Sequence, residues 1–233
     1  MSGRVAYTGN IVTNGLVLNL DAGKLDSYPR SGTAWRDISE NNITGSLLNG
    51  TTFSNINAGS IVFDGINDTV QLQSSSTINN LTQNFSVEAV VLFTTSSGQY
   101  GIVSKGATFS SGWCLYLRQG PQFSFIGYDT LGSSSGIFQT PAGEISSNNW
   151  YHVLYTYDNT RIRGYINGQE KVSSAYTQTF TSIGTTPAIG RDTAIASPQY
   201  WPGNIGIVRL YNRPLSATEV SQNFNAVRGR YGI

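Results

Sequence analysis

Cysteine is almost missing from these 233 residues: Cys114 stands alone, so no intrachain disulfide can form, and a lone thiol in a strand pattern reads as a buried side chain. Charge is scarce too, at 12% Asp, Glu, Lys and Arg, against about 25% in average soluble proteins. Fourteen basic and thirteen acidic residues leave a net charge of +1, which excludes the positive field that a nucleic-acid partner requires. Long apolar runs are lacking. The longest, Ala89 to Phe93, falls far short of a membrane span, and Met1 to Thr8 lacks the apolar stretch of a secretory leader. A chain made soluble in its host cytoplasm, with no membrane partner, is expected. Histidine occurs once, as His152, and neither a Cys/His zinc spacing nor a phosphate-cradling Gly-rich loop before a helix is present.

What is abundant is turn and strand material: 26 glycines, 13 tyrosines and 39% hydrophobic residues, enough for one large all-β domain of the usual 200 to 250 or so residues. The alternation of Phe85, Val87, Ala89, Val91 and Phe93 with Ser86 and Glu88 predicts a strand with its first set in the core. Trp113, Leu115 and Leu117, then Phe123 and Phe125, predict a hairpin about Gly120-Pro121. Trp150 to Tyr157, Arg161 to Asn167 and Gln169 to Val172 predict a meander turning at Asp158-Asn159-Thr160 and Asn167-Gly168. In a last strand, Ile205, Ile207, Arg209 and Tyr211 share one face, and Val208 and Leu210 the other. Ser216 and Glu219 form a capping box that opens a helix over 216–226, with Val220, Phe224 and Val227 packing inward and Gln222 and Asn223 facing water. The organisation expected is an N-terminal arm over 1–14 and a single domain over 15–233 that ends in this helix and a tail.

Several segments together resemble one family. Gly15-Leu16-Val17-Leu18-Asn19-Leu20-Asp21-Ala22-Gly23, Ser27-Tyr28-Pro29, Trp35-Arg36-Asp37-Ile38-Ser39 and Phe63-Asp64-Gly65-Ile66-Asn67-Asp68 look like the opening of laminin-G-like, concanavalin A-like domains. Trp150-Tyr151-His152-Val153, Tyr165-Ile166-Asn167-Gly168 and Arg209-Leu210-Tyr211-Asn212-Arg213-Pro214-Leu215-Ser216 resemble the closing half. The resemblance implies an all-β, two-sheet antiparallel jelly-roll sandwich with a short C-terminal helix. The Asp-Ala-Gly opening and the Arg228-Gly229-Arg230-Tyr231-Gly232 tail are similar to versions in structural proteins of tailed-phage virions. By analogy this implies a non-enzymatic decoration protein on the virion surface, with capsid or tail proteins, copies of itself and host glycans as partners; the tail residues Arg228, Arg230 and Tyr231 are the candidate assembly contact, against the simpler reading of a solvated chain end. The alternative is a lectin-like, carbohydrate-binding adhesin; a glycan-active hydrolase is the third reading.

Hydrolysis with retention needs two carboxyl groups about 5 to 5.5 Å apart. The Glu-x-Asp-x-x-Glu triplet of glucanases in this fold is absent, and Glu88 is alone on its strand, so no catalytic residue is assigned. His152 reads as a structural strand histidine with hydrogen-bonded ring nitrogens. No cofactor is required. The resemblance to laminin-G-like domains makes calcium the one metal to consider, on Asp64, Asn67 and Asp68 with Asp129 and Asp192 from other loops, against the simpler reading of side chains that bond their own turn. For a sugar, Tyr116 and Arg118, Tyr128, and Arg163 and Tyr165 lie opposite the core sets and read together as a stacking platform, unless they merely cover the second face or sit beneath the helix. Tyr200 and Trp201 form a second aromatic loop suited to a ligand or a subunit interface.

Overall fold

The computed structural model describes residues 10–106, 112–128, 134–180, 186–192 and 199–233. In chain order its strands are β1 (Leu16–Asp21), β2 (Ala34–Trp35), β3 (Gly45–Leu48), β4 (Thr52–Ser54), β5 (Ser60–Asp64), β6 (Thr69–Leu72), β7 (Phe85–Phe93) and β8 (Tyr100–Lys105). They continue with β9 (Gly112–Arg118), β10 (Gln122–Tyr128), β11 (Ser134–Gln139), β12 (Trp150–Tyr157), β13 (Arg161–Ile166), β14 (Gln169–Ala175), β15 (Ala188–Ile189) and β16 (Pro202–Tyr211). The α-helices are a single turn, α1 (Ser76–Asn79), and α2 (Ala217–Tyr231), and a short 3-10 turn spans Ile56–Ala58. No helix among the described residues is long and apolar enough to cross a membrane.

Two antiparallel sheets face each other. Sheet 1 runs β14-β13-β12-β7-β16-β5-β4 with β1 also on β16, and sheet 2 runs β11-β10-β9-β8-β15-β6-β3-β2. The expected hairpin is β9–β10 and the expected meander is β12–β13–β14. Period-two alternation sends Phe85, Val87, Ala89, Val91 and Phe93 of sheet 1 into the same core as Trp113, Leu115, Leu117, Phe123 and Phe125 of sheet 2. Trp113 stacks on Phe85 at 5.2 Å and on Phe125 at 6.0 Å between ring centroids. Truncating a buried aromatic of this kind costs roughly 3–5 kcal/mol.

Three sequence-based expectations need correction. Ile205 does not share a face with Ile207: the pairing of β16 with β7 shifts register between them, so Ile205 enters the main core while Ile207, Arg209 and Tyr211 face outward. Gly206 sits in that irregularity, where a Cβ would come within 2.2 Å of the Tyr231 hydroxyl. Second, α2 does not stop at residue 226 but continues to Tyr231, closed by Gly232 in the left-handed conformation (φ 72°) with its N–H on the Arg228 carbonyl. Arg228 and Arg230 thus occupy the last helical turn, where positive charge suits the helix dipole. Third, Asn223 does not face water but is fully buried.

Candidate functional site

The outer faces of the two sheets have different fates. That of sheet 1 is roofed by α2 and the Asn10–Asn14 segment. Across it runs one register row, Asn19–Arg209–Glu88–Leu154–Tyr165–Glu170, drawn from β1, β16, β7, β12, β13 and β14. Glu88 is completely buried, and both its oxygens are taken: Oε1 accepts from Arg209 Nη1 at 2.6 Å and from His152 Nε2 at 3.1 Å, and Oε2 from Asn223 Nδ2 at 2.7 Å. Burial alone would raise the Glu88 carboxyl, but the Arg209 guanidinium, then the His152 ring and the Asn223 amide, hold it down at about 2. An ionised carboxylate only accepts, so His152 Nε2 carries a proton, while Nδ1 is buried with no hydrogen-bond partner among the described residues. The expectation that both ring nitrogens are bonded thus holds for one of them.

The same cluster clamps the N-terminal segment. Val12 N–H donates to Asn223 Oδ1 at 2.8 Å, the Tyr211 hydroxyl donates to the Val12 carbonyl at 3.2 Å, and Gln222 Nε2 donates to the Asn10 carbonyl at 2.8 Å. The capping box holds α2 at its start, with Ser216 N–H on Glu219 Oε2 at 2.9 Å and Arg213 gripping both carboxylate oxygens at 2.6 and 3.0 Å.

On the outer face of sheet 2 no helix lies among the described residues, yet Tyr116, Ser124 and Tyr128 are buried there rather than open to solvent as expected for a stacking platform. Tyr116 and Arg118 project there from β9, between the core-facing Leu115 and Leu117, and Ser124 and Tyr128 from β10. Gly101 of β8 pairs with Tyr116. A Cβ on Gly101 would lie 2.1 Å from the Arg191 and Asp192 backbone, so this glycine lets residues 191–192 press against the sheet. Ser104 Oγ donates to the Arg191 carbonyl at 2.9 Å, Arg191 Nη2 donates to Gln71 Oε1 at 3.0 Å, and Tyr200 bridges back to Arg191. Within this patch three buried polar atoms lack a hydrogen-bond partner among the described residues: Ser124 Oγ, Arg191 Nε and Gln199 Oε1. Burial, then the nearby Asp192 carboxylate, pushes the Cys114 thiol well up and the Tyr128 hydroxyl to about 12, and burial is also the first cause of the raised Tyr116 hydroxyl. All three stay protonated donors at neutral pH.

The expected platform therefore divides between opposite sides of the sandwich. Tyr116, Arg118 and Tyr128 belong to sheet 2. Arg163 and Tyr165 belong to sheet 1, where Arg163 pairs with Asp158 at 2.7 Å and Tyr165 is buried beneath α2 with its hydroxyl 3.2 Å from Glu170. Trp201 is not an exposed loop residue but a core one, edge-on to Phe93 at 6.4 Å, and only Tyr200 is partly open. Ser124, Arg191 and Gln199 were not singled out from the sequence. Gly101 inside a strand was the one local sign of a close backbone approach.

At the β5–β6 turn, Asp64 Oδ1 accepts from the Ile66 and Asn67 N–H groups at 2.8 and 3.3 Å, and Asp68 Oδ2 from the Asp64 N–H at 3.0 Å. Asp192 lies against Cys114 and Tyr128 on the other sheet, and Asp129 is outside the described residues. Among the described residues no three His, Cys, Asp or Glu side chains gather to hold a metal. Arg230 and Tyr231 are engaged within the chain: Arg230 Nη1 pairs with Asp21 at 2.7 Å, and Tyr231 is buried against Trp150 at 4.6 Å. Arg228 lies 5.9 Å over the Phe224 ring.

Fold and faces together define a jelly-roll sandwich of the lectin type, with one outer face closed by a helix and the other polar. The family model described as concanavalin A-like lectin/glucanases superfamily, of laminin G type, matches residues 64–221, and the chain belongs to that superfamily. No curated protein matches it by sequence. Among solved structures it is similar to the binding domain of Paraclostridial Mosquitocidal Protein 1 (TM-score 0.71, 18% identity, 91% of this chain and 52% of that one). It is also similar to the Botulinum Neurotoxin Type G receptor binding domain (0.66, 19%, 91% and 51%). A third is domain 4 of AbnA, a GH43 extracellular arabinanase from Geobacillus stearothermophilus, in complex with arabinotriose (0.67, 16%, 91% and 99%). At these identities the likeness is one of fold, and the chain spans about half the length of the two toxin domains.

Proposed function

We propose that the chain is a carbohydrate-binding module that takes a glycan on the outer face of sheet 2 and performs no catalysis. The observation that carries this reading is the partly open Arg118, Arg191 and Tyr200 at the edge of that face, beside the buried Tyr116 and Tyr128, where Ser124 Oγ, Arg191 Nε and Gln199 Oε1 find no hydrogen-bond partner among the described residues. A buried polar atom left unpaired costs about 1–3 kcal/mol, and sugar hydroxyls, each both donor and acceptor, match a donor and acceptors set at fixed spacing. Arg118 and Tyr200, partly open at the margin, supply further contacts. Support also comes from the fold relatives, of which two are toxin binding domains and one holds arabinotriose.

The non-enzymatic part rests on Glu88. Sealed beneath α2 with both oxygens bonded, it reaches no external substrate and has no proton to give near neutral pH. The finer reading of a phage-surface decoration protein rests on the resemblance of the Asp21-Ala22-Gly23 opening and the Arg228 to Gly232 tail. Those two segments bind each other through the Arg230–Asp21 pair, which accounts for them without an external partner. The test is a glycan array probed with the full chain, followed by calorimetry on the strongest ligand. A saturable neutral or acidic oligosaccharide is expected. Silence on the array, together with recovery of the chain in purified phage particles, would replace this reading with the virion one.

A further inference from the structure

Beside the buried network, α2, β1 and the Asn10–Thr13 segment enclose a pocket of about 360 Å³, in the range of small-ligand sites. Among the described residues its walls are uneven in charge, with the cations Lys24, Arg209 and Arg230 against one carboxylate, Asp21. Arg230 is committed, with Nε on the Asn57 carbonyl at 3.1 Å, Nη1 on Asp21 Oδ1 at 2.7 Å and Nη2 on the Gly59 carbonyl at 3.3 Å. Arg209 is not. Only 2% exposed, it uses Nε on Asn19 Oδ1 at 3.2 Å and Nη1 on Glu88 at 2.6 Å, and its Nη2 makes no hydrogen bond among the described residues. Lys24, at the exposed rim, has no ion-pair partner among the described residues.

We infer that this pocket binds an acidic sugar by its carboxylate, an inference that rests on the carbohydrate reading and adds to it a second, charge-selective site. Arg209 Nη2, held rigid by Asn19 and Glu88, and the Lys24 ammonium donate charge-assisted bonds to the carboxylate. Asp21 Oδ2, which accepts no bond among the described residues, and the Thr13 hydroxyl take ring hydroxyls, while Ala226 and Val227 of α2 give an apolar wall. An anion is favoured over a neutral sugar because one more positive than negative charge remains after Arg209 is set against Glu88 and Arg230 against Asp21.

The experiment titrates the full ¹⁵N-labelled chain with glucuronate, glucose and acetate. Saturable shifts of the Thr13, Ala226 and Val227 amides with glucuronate are expected, with glucose and acetate at least about tenfold weaker. Lys24→Glu should weaken glucuronate by about tenfold, since one charge at the rim is reversed, and should leave the melting temperature unchanged. Equal binding of glucose removes the carboxylate selectivity, equal binding of acetate removes the sugar, and unmoved Thr13 and Val227 signals overturn the site. If glucuronate shifts only β9 and β10 amides, the pocket fails while the carbohydrate reading stands. If every sugar fails on both faces, the carbohydrate reading itself falls.

Discussion

Glu88→Gln removes the charge at the centre of the sheet 1 network and leaves the Arg209 guanidinium buried beneath α2. The pair lies at 2.6 Å between donor and acceptor with side chains 3% and 0% exposed, so water from the neighbouring pocket replaces the lost partner only in part. At about 4 Å between charge centres and an effective dielectric of about 20, the direct attraction is ~4 kcal/mol. Breaking one half of a buried pair costs about 3–5 kcal/mol. A loss of ~3–4 kcal/mol is therefore expected, read as a lower urea midpoint at unchanged slope. The double variant Glu88→Met/Arg209→Met removes both charges and should return to within ~1 kcal/mol of the parent. Trp150, packed on Tyr231 at the far end of α2, gives a fluorescence signal for undocking of the helix. Acid supplies a second arm. The folded carboxyl sits at about 2 against an ordinary 4.5, so its contribution is present above pH 4.5 and is lost as pH falls toward 2, by ~3 kcal/mol. Glu88→Gln should lack that acid limb. A loss under ~1 kcal/mol, or a double variant as unstable as the sum of the singles, would refute the claim that one buried pair docks the helix.

Lys105 faces the core side opposite Trp113, is 1% exposed with no partner for its ammonium among the described residues, and burial lowers it from 10.5 to about 8. Below pH 8 the fold bears the whole cost of the charge, ~3 kcal/mol, and between pH 8 and 10.5 the folded state sheds the proton first and stability rises. Lys105→Met should therefore gain ~1–3 kcal/mol at pH 7 in urea melts, with the advantage shrinking through that window. Equal stability at pH 7 and parallel pH profiles would contradict it. Millimolar calcium should leave the melting temperature unchanged, because Asp64 Oδ1 and Asp68 Oδ2 already accept turn N–H groups and no third acidic side chain joins them among the described residues; a rise of several degrees would reveal a calcium site.

Much of the sandwich was legible because alternation reports which side chains of a strand share a face. It identified the β7 core set, the β9–β10 hairpin and the β12–β14 meander. It does not report which sheet a strand joins. That is set by partners remote in sequence, such as β7 between β12 and β16, and so Tyr116 and Tyr165 were read as neighbours although they lie on opposite outer faces. Nor does alternation show that a second face is roofed. Glu88, Arg209 and Asn223 look like solvent residues until α2 covers them, and Ile205 looks like a neighbour of Ile207 until the shift at Gly206 turns it inward. The capping box of Ser216 and Glu219 was readable because it is local. The candidate sheet 2 site joins β9 and β10 to residues 191 and 199 through Gly101, a contact that no short-range pattern encodes.

The most direct test of the account compares Arg191→Ala with Arg163→Ala in calorimetric titrations of the strongest array ligand, since one arginine belongs to each outer face. Loss of about tenfold or more in affinity for Arg191→Ala alone is the predicted result. Loss for Arg163→Ala alone, or for neither, would contradict glycan binding on the outer face of sheet 2.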